Sequence, residues 1–531
     1  MKISRLLVAA AALMLGALPA AANDDKPKAP HFFTPEEKIS EGSVVTNHQK
    51  VDYKAVAGTL VVHAKGWDDA PQKPVGVEKS DKSDDKVTAE ASMFYVAYFK
   101  KDARPESRPI TFIYNGGPGS ATVWLHMGAF GPRRIVTDSD QHMAPAPYKV
   151  VANDSSLLDA SDLVFIDAPG AGFSRIAGPD KEKAFWGIDA DGYAFAEFIS
   201  GFLNKYGRWN SPKYLFGESY GTTRSAVLVN LLEQRFIDFN GVMLLSQILN
   251  FDLSPDTPYY NPGIDAAYAT ALPTYAATAW YHKKLPDAPK DLRGFLDEVE
   301  HFALTDYSQA LALGNDLGAD QRNAVAEKLH KYTGLPVDYI KKADLRISGG
   351  EFSKTLQDDN GITTGRIDTR FSGPDLDSLE KEAGYDPFTA GIGSAYIAAF
   401  NDYARKDLKW SDETRFTLFA DVFHFWSFQH VPPDSHGAPW QSANVMVDLA
   451  HAMKVNPKLK VQFHAGYFDL ATPYFQGVYE MKHMPIPPGL RSNISYKFYE
   501  SGHMVYAAEP SLKALHDNAA EFIRSTSAPA Q

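Results

Sequence analysis

Runs of apolar residues bounded by glycine and proline set the outline of the chain. Residues 92–99 and 109–114 are strand-like, and the second is apolar but for Thr111, enough for a strand covered on both faces. Residues 162–167, 213–216 and 241–246 have the same character. Helical periodicity occupies 188–206 and 222–232 between them. Strands alternating with helices in this way predict an α/β protein with an open, mostly parallel central sheet. Ahead of these, residues 43–49 and 58–63 read as a hairpin on a sheet edge. After Asn250 the texture changes, and from 253 to 409 the chain is helical, rich in alanine and punctuated by proline. The strand and helix pattern then resumes with a helix at 442–454, strands at 460–464 and 494–499, and a closing amphipathic helix at 509–524.

This pattern divides the chain. Residues 1–22 combine Lys2 and Arg5 with an apolar stretch and a small-residue end at Ala20-Ala21-Ala22, which is the make-up of a cleaved signal peptide and predicts a periplasmic or secreted protein. The apolar stretch is shorter than the ~20 residues that a spanning helix needs, so no stable membrane anchor is expected after cleavage. Residues 23–43 are polar and read as a flexible lead-in, and 66–86 as a solvated loop. The first part of the core then covers 44–252, a helical insertion capping the site 253–409, and the second part of the core 410–526. A separate helical domain is the competing reading of the insertion.

Composition narrows the chemistry. The chain has no cysteine, which excludes disulfides and thiolate metal sites, so an exported protein of this sequence must rely on its core. The net charge of −12 becomes −14 without Lys2 and Arg5, which argues against nucleic acid and anionic membrane surfaces as partners. No metal and no cofactor is expected.

The candidate chemistry centres on Gly217-Glu218-Ser219-Tyr220-Gly221, set between an apolar strand and a helix. Strand, sharp turn and helix around Gly-x-Ser-x-Gly form a nucleophile elbow, in which the flanking glycines avoid clashes and Ser219 stands exposed at the sheet edge. The five residues alone are weak, since a chain of this length yields them by chance roughly one time in six. Their company carries more. A nucleophilic serine needs a base and a group that orients the base. Asp469 and His503 follow in that order, each in a loop after a late strand. Asp421 and Asp448 are rival acids, disfavoured because Asp421 precedes the late strand and Asp448 falls inside a helix.

Four motifs together, Asn115-Gly-Gly-Pro-Gly-Ser120, Asp167-Ala-Pro-Gly-Ala-Gly-Phe-Ser174, the elbow, and Gly502-His-Met-Val505, resemble the serine carboxypeptidase family (peptidase family S10), the group of carboxypeptidase Y and cathepsin A. The resemblance covers about residues 90–250 and 440–525 and leaves the insertion unmatched. It implies an α/β-hydrolase fold with a largely helical cap and a carboxypeptidase acting on peptide substrates, with a homodimer as the assembly to expect if there is one. It further implies Ser219 as nucleophile, His503 as base and Asp469 as its orienting acid. Gly117 and Tyr220 would supply the oxyanion hole, and Asn115, Gly116 and Glu218 would bind the substrate carboxylate. A glutamate facing a carboxylate donates only when protonated, which implies acidic working conditions. The chain departs from the family where a second glutamate is expected, at Ala129, and Arg133 or Arg134 is the candidate replacement for its role. Ser120 stands in place of the family's cysteine.

An esterase, acyltransferase or aminopeptidase with the same triad is the main alternative, and a catalytically silent binding protein a second. His424, His430 and His436 recur every six residues, which fits neither a helix nor a strand face and reads as structural or surface histidine rather than metal ligation. Trp124, Tyr467 and Phe468 are candidates for pocket walls.

Overall fold

The structure, a computed structural model, describes residues 31–67, 88–287, 289–410, 413–435, 437–439 and 442–527. The calls on residues 1–22, on 23–30, on most of the 66–86 loop and on His436 lie outside these.

Nine strands form the body of one twisted sheet: β1 (Glu37–Thr46), β2 (Gln49–His63), β3 (Glu90–Lys100), β4 (Ile110–Tyr114), β5 (Asp162–Ile166), β6 (Lys213–Glu218), β7 (Gly241–Leu245), β8 (Lys460–Gly466) and β9 (Ile494–Tyr499). Their spatial order is β1-β2-β3-β5-β4-β6-β7-β8-β9, and a short strand, Arg175–Ala177, pairs beside β3. The first three strands and the β3–β5 contact are antiparallel, and from β5 to β9 the sheet is parallel. β4, β5, β6 and β7 are buried along their whole length, as largely apolar runs require.

The hairpin at the edge is longer than its apolar residues suggest. Residues 37–43, expected to be lead-in, are strand and pair with β2 through their backbone. Asn47 and His48 close the turn with φ of 46° and 62°. The strand end is pinned by Glu37, which accepts from Tyr95 OH at 2.8 Å and pairs with Lys205 Nζ at 2.9 Å. Its polar composition concealed it because an edge strand in an antiparallel pair can leave one face to water.

Helix α1 (Ile188–Tyr206) crosses over between β5 and β6, and α2 (Tyr220–Glu233) leaves β6 directly; nearly every residue of α2 is buried, so it forms part of the core rather than its surface. The insertion carries α3 (Ala266–Tyr281), α4 (Leu292–Phe302), α5 (Ala319–Thr333) and α6 (Pro387–Lys406), with a small ribbon of Ile362–Thr364 and Ser372–Pro374. Leu292, Phe295, Leu296, Val299 and Phe302 give α4 one buried face at helical spacing. These helices share a continuous apolar core with the sheet domain. Tyr281 of α3, for example, packs on Phe468 at 5.4 Å between ring centroids.

Helix α7 (Met446–Val455) begins four residues later than its apolar pattern suggests, because Asn444 Oδ1 accepts the Met446 N–H at 3.1 Å and ends the preceding extended segment there. Helix α8 (Glu509–Ser527) closes the chain. A mostly parallel sheet covered by helices, with a serine-bearing turn at the end of a central strand, is the α/β-hydrolase arrangement. No helix among the described residues is long and apolar enough to cross a membrane.

Candidate active site

Between β6 and α2 the chain turns through a single residue, Ser219, at φ 62° and ψ −132°. That conformation is strained for any residue with a side chain and persists only because its surroundings leave no alternative. A Cβ on Gly217 would lie 2.3 Å from the Gly221 carbonyl oxygen, and one on Gly221 would lie 3.1 Å from that of Tyr114. Ser219 is half-buried, whereas Glu218 and Tyr220 beside it are buried.

The loop after β4 presses against this turn. A Cβ on Gly116 would stand 2.5 Å from the Tyr220 amide nitrogen and 2.7 Å from the Glu218 carbonyl oxygen, so only glycine permits the approach. Gly117, at φ 105°, follows. Two buried acids hold these loops. Asp167 accepts the Thr122 N–H at 2.8 Å and the Phe173 N–H at 3.3 Å, tying the loops after β4 and β5 together. Asp191 of α1 pairs with Arg224 of α2, Nε to Oδ2 at 2.7 Å, and the same guanidinium donates through Nη1 to the Asn115 carbonyl at 2.8 Å. Arg224 was not singled out from the sequence; it lies five residues after Ser219 and 4.1 Å from the Phe195 ring centroid.

Asp469 and His503 meet. His503 Nδ1 donates to Asp469 Oδ2 at 2.8 Å, and Thr472 completes the acid's shell with its N–H at 3.0 Å and its hydroxyl at 2.7 Å. Burial disfavours the imidazolium, but Asp469 and then Glu218 outweigh it and hold the His503 pKa above its ordinary value. With Nδ1 engaged, Nε2 is the nitrogen left for a proton from Ser219. Ser219 and His503 share no hydrogen bond in the structure but line one cavity of about 710 Å³, together with Gly116, Gly117, Glu218 and Tyr220.

Glu218 is fully enclosed. Burial pushes its pKa up to about 7, against the opposing pull of His503 and of the Tyr506 hydroxyl, which donates to Oε2 at 2.8 Å. Tyr506 was missed in the sequence, although it directly follows Gly502-His-Met-Val505. Asn115 lies behind the cavity wall rather than on it, and its Oδ1 accepts the Leu125 N–H at 3.0 Å. Ala129 is buried, and neither Arg133 nor Arg134 lines the cavity; Arg134 is paired with Glu509 at 2.9 Å. The group beside Glu218 is therefore a phenol, and neither arginine supplies a charge there.

The insertion reaches the triad through residues 366–370. The Ile367 carbonyl accepts the His503 N–H at 2.8 Å, and the Arg366 carbonyl accepts the Leu470 N–H at 3.1 Å. Asp368, buried and paired with Arg370 at 2.6 Å, accepts the Gly502 N–H at 3.2 Å.

Other candidates fall elsewhere. Asp421 is exposed. Asp448 is buried against His430 Nε2 at 2.8 Å, and His430 Nδ1 reaches Asp189 at 2.6 Å, so this histidine is clamped between two acids, while His424 is exposed. Among the described residues no cluster suited to a metal ion occurs. Trp124 lines the cavity beside Phe419, whereas Phe468 faces a different cavity of about 550 Å³ and Tyr467 lines a third.

The model of the Peptidase S10 serine carboxypeptidase family matches residues 79–260. No curated protein matches the chain in sequence. Solved structures similar to it include a prohormone-processing carboxypeptidase of Saccharomyces cerevisiae, 14% identical, covering 89% of this chain and 91% of that one with a TM-score of 0.49. A proline iminopeptidase of Mycobacterium smegmatis is 13% identical over 82% of this chain and 96% of its own, with a TM-score of 0.35. The peroxisomal α/β-hydrolase Lpx1 of S. cerevisiae is 10% identical over 90% of each chain, with a TM-score of 0.34.

Proposed function

For a chain whose residues 79–260 match the serine carboxypeptidase family, we propose the removal of C-terminal residues from peptides through an acyl-enzyme on Ser219. One observation carries this reading: a buried glutamate with its pKa pushed up to about 7 adjoins the nucleophile in the same cavity. An endopeptidase or esterase has no use for a carboxyl group held protonated there. An exopeptidase that must grip a terminal carboxylate does, because a protonated Glu218 can donate to it.

The steps follow from the geometry. Ser219 Oγ attacks the scissile carbonyl while His503 Nε2 takes its proton, and Asp469 keeps Nδ1–H in place to support the imidazolium. The N–H groups of Gly117 and Tyr220 receive the oxyanion, with the close contact at Gly116 setting their spacing. Collapse expels the terminal amino acid, whose amine takes the proton from His503. Water, deprotonated by the same imidazole, then releases the shortened peptide. Glu218 and the Gly116 N–H hold the terminal carboxylate until the amino acid departs, and Asn115 lies behind them with its Oδ1 on the Leu125 N–H.

Activity is expected on a blocked dipeptide with a free carboxylate, at least about tenfold above its amide near pH 7, where His503 can still act as base and Glu218 is still partly protonated, and lost in Ser219→Ala. Equal hydrolysis of acid and amide, or hydrolysis of a simple ester alone, would transfer the protein to another hydrolase class.

The signal-like residues 1–22 and the absence of cysteine support export to the periplasm or beyond.

A further inference from the structure

The cavity has two chemically different ends, and the strand order tells which part of a peptide each one meets. The loop after β4, with Gly116 and the neighbouring Trp124, lies on one side of β6; the segment after β7, with Ile248, Phe251 and Asp252, lies on the other. In the carboxypeptidase reading, on which this inference rests, the terminal carboxylate sits beside Gly116 and Glu218, on the β4 side. The scissile carbonyl sits over Ser219 at the end of β6. The residue before the scissile bond must then extend toward β7.

On the β7 side the wall combines aromatic rings with carboxylates. Phe251 and Phe428 face each other at 5.4 Å between centroids. Asp252 accepts from the Ser442 hydroxyl at 2.6 Å, and no cation among the described residues pairs with it. Asp256 is different, because Arg366 holds it in a bidentate pair at 2.7 and 2.6 Å. That guanidinium is the cavity's only one among the described residues and is already engaged, so the pair cancels and Asp252 keeps its charge unmatched. On the β4 side, by contrast, Trp124 and Phe419 pack at 6.2 Å and present an apolar surface.

We propose that Asp252, with Phe251 and Phe428, selects substrates with a cationic residue immediately before the scissile bond, a lysine or arginine whose aliphatic stem packs on the rings while its head reaches the carboxylate. Amphipathic cations favour surfaces built from a ring and an acid. An anionic residue at that position meets the uncancelled carboxylate and is disfavoured.

The test uses the full mature enzyme and three blocked dipeptide acids ending in phenylalanine, with lysine, leucine or glutamate before the scissile bond. Active enzyme is counted by labelling Ser219 with a fluorophosphonate, which separates misfolding from altered selectivity. The lysine substrate is expected to exceed leucine in kcat/KM by about three- to tenfold, and glutamate by more, with the ratios shrinking in high salt. In Asp252→Asn the lysine-to-leucine ratio is expected to fall to near one. Hydrolysis of all three substrates without charge discrimination, a preference for glutamate, or ratios unchanged in Asp252→Asn would each overturn the inference alone. Labelling of Ser219 without hydrolysis of any of the three would overturn the carboxypeptidase reading, and this inference with it.

Discussion

Glu218 and Tyr506 show how one substitution is absorbed at the scale of single residues. Where the related pattern has a second carboxyl, this chain has Ala129, and the Tyr506 hydroxyl occupies the hydrogen-bonding position on Glu218 instead. A phenol donates to the ionised form of its partner, so it lowers the pKa that burial raises. Two limbs are therefore expected in kcat/KM for a free-acid substrate. The acid limb reports loss of the base as His503 protonates, and the alkaline limb, near pH 7, reports ionisation of Glu218. Glu218→Gln should abolish the alkaline limb and move the acid one downward, because the carboxylate that helps to hold up the His503 pKa is gone. Tyr506→Phe should move the alkaline limb upward by as much as about one unit, because the donor that favours the carboxylate is gone. An alkaline limb unaffected by both variants, measured from pH 4 to 9, would remove Glu218 from carboxylate recognition.

At the scale of elements, the segment between the insertion and α7 acts as a strap. It meets the loops of the sheet domain by isolated bridges, Gly172 with Thr417, Ser120 with Phe419 and Gly187 with Ser427, and supplies Phe419 and Phe428 to the cavity wall. His430 anchors it. Burial alone would depress this imidazole, but Asp189 and Asp448 on either side lift its pKa to about 9. Its folded pKa lies above the ~6.5 of an unfolded histidine, so its contribution is full below that value and is lost as pH rises toward 9. His430→Ala should therefore lower Tm by a few degrees at pH 6, and the gap from the wild type should close at pH 9.5. A gap of equal size at both pH values would mean that the imidazole stabilises by packing and not by charge.

For the whole molecule, the insertion and the sheet domain behave as one body around the site. Residues 366–370 bind the loops carrying both Asp469 and His503, so the cap helps to position the triad as well as roofing the cavity. The proposed export is tested on the whole chain. Mature protein recovered from the periplasm or medium is expected to begin at Asn23, and retention of residues 1–22 on N-terminal sequencing would contradict that.

Much of this was legible in the chain itself. The apolar runs of β4 to β7, the elbow and the order of Ser219, Asp469 and His503 follow from local rules: strand burial, turn sterics and loops at strand ends. Other features were not, because they depend on contacts between residues far apart. β1 is polar and owes its existence to backbone pairing with β2. Asn115 carries the right motif yet sits behind the wall, held by Leu125. Tyr506, Arg224 and Asp368 became visible only when folding set each against a distant partner, at Glu218, Asp191 and Gly502. Sequence alone determined the chemistry that can occur, since a strained serine turn and its acid and base are encoded in short segments. The tertiary structure decided the protonation of Glu218 and the charge left unmatched at Asp252, since both depend on which groups exclude water and which cations are already taken.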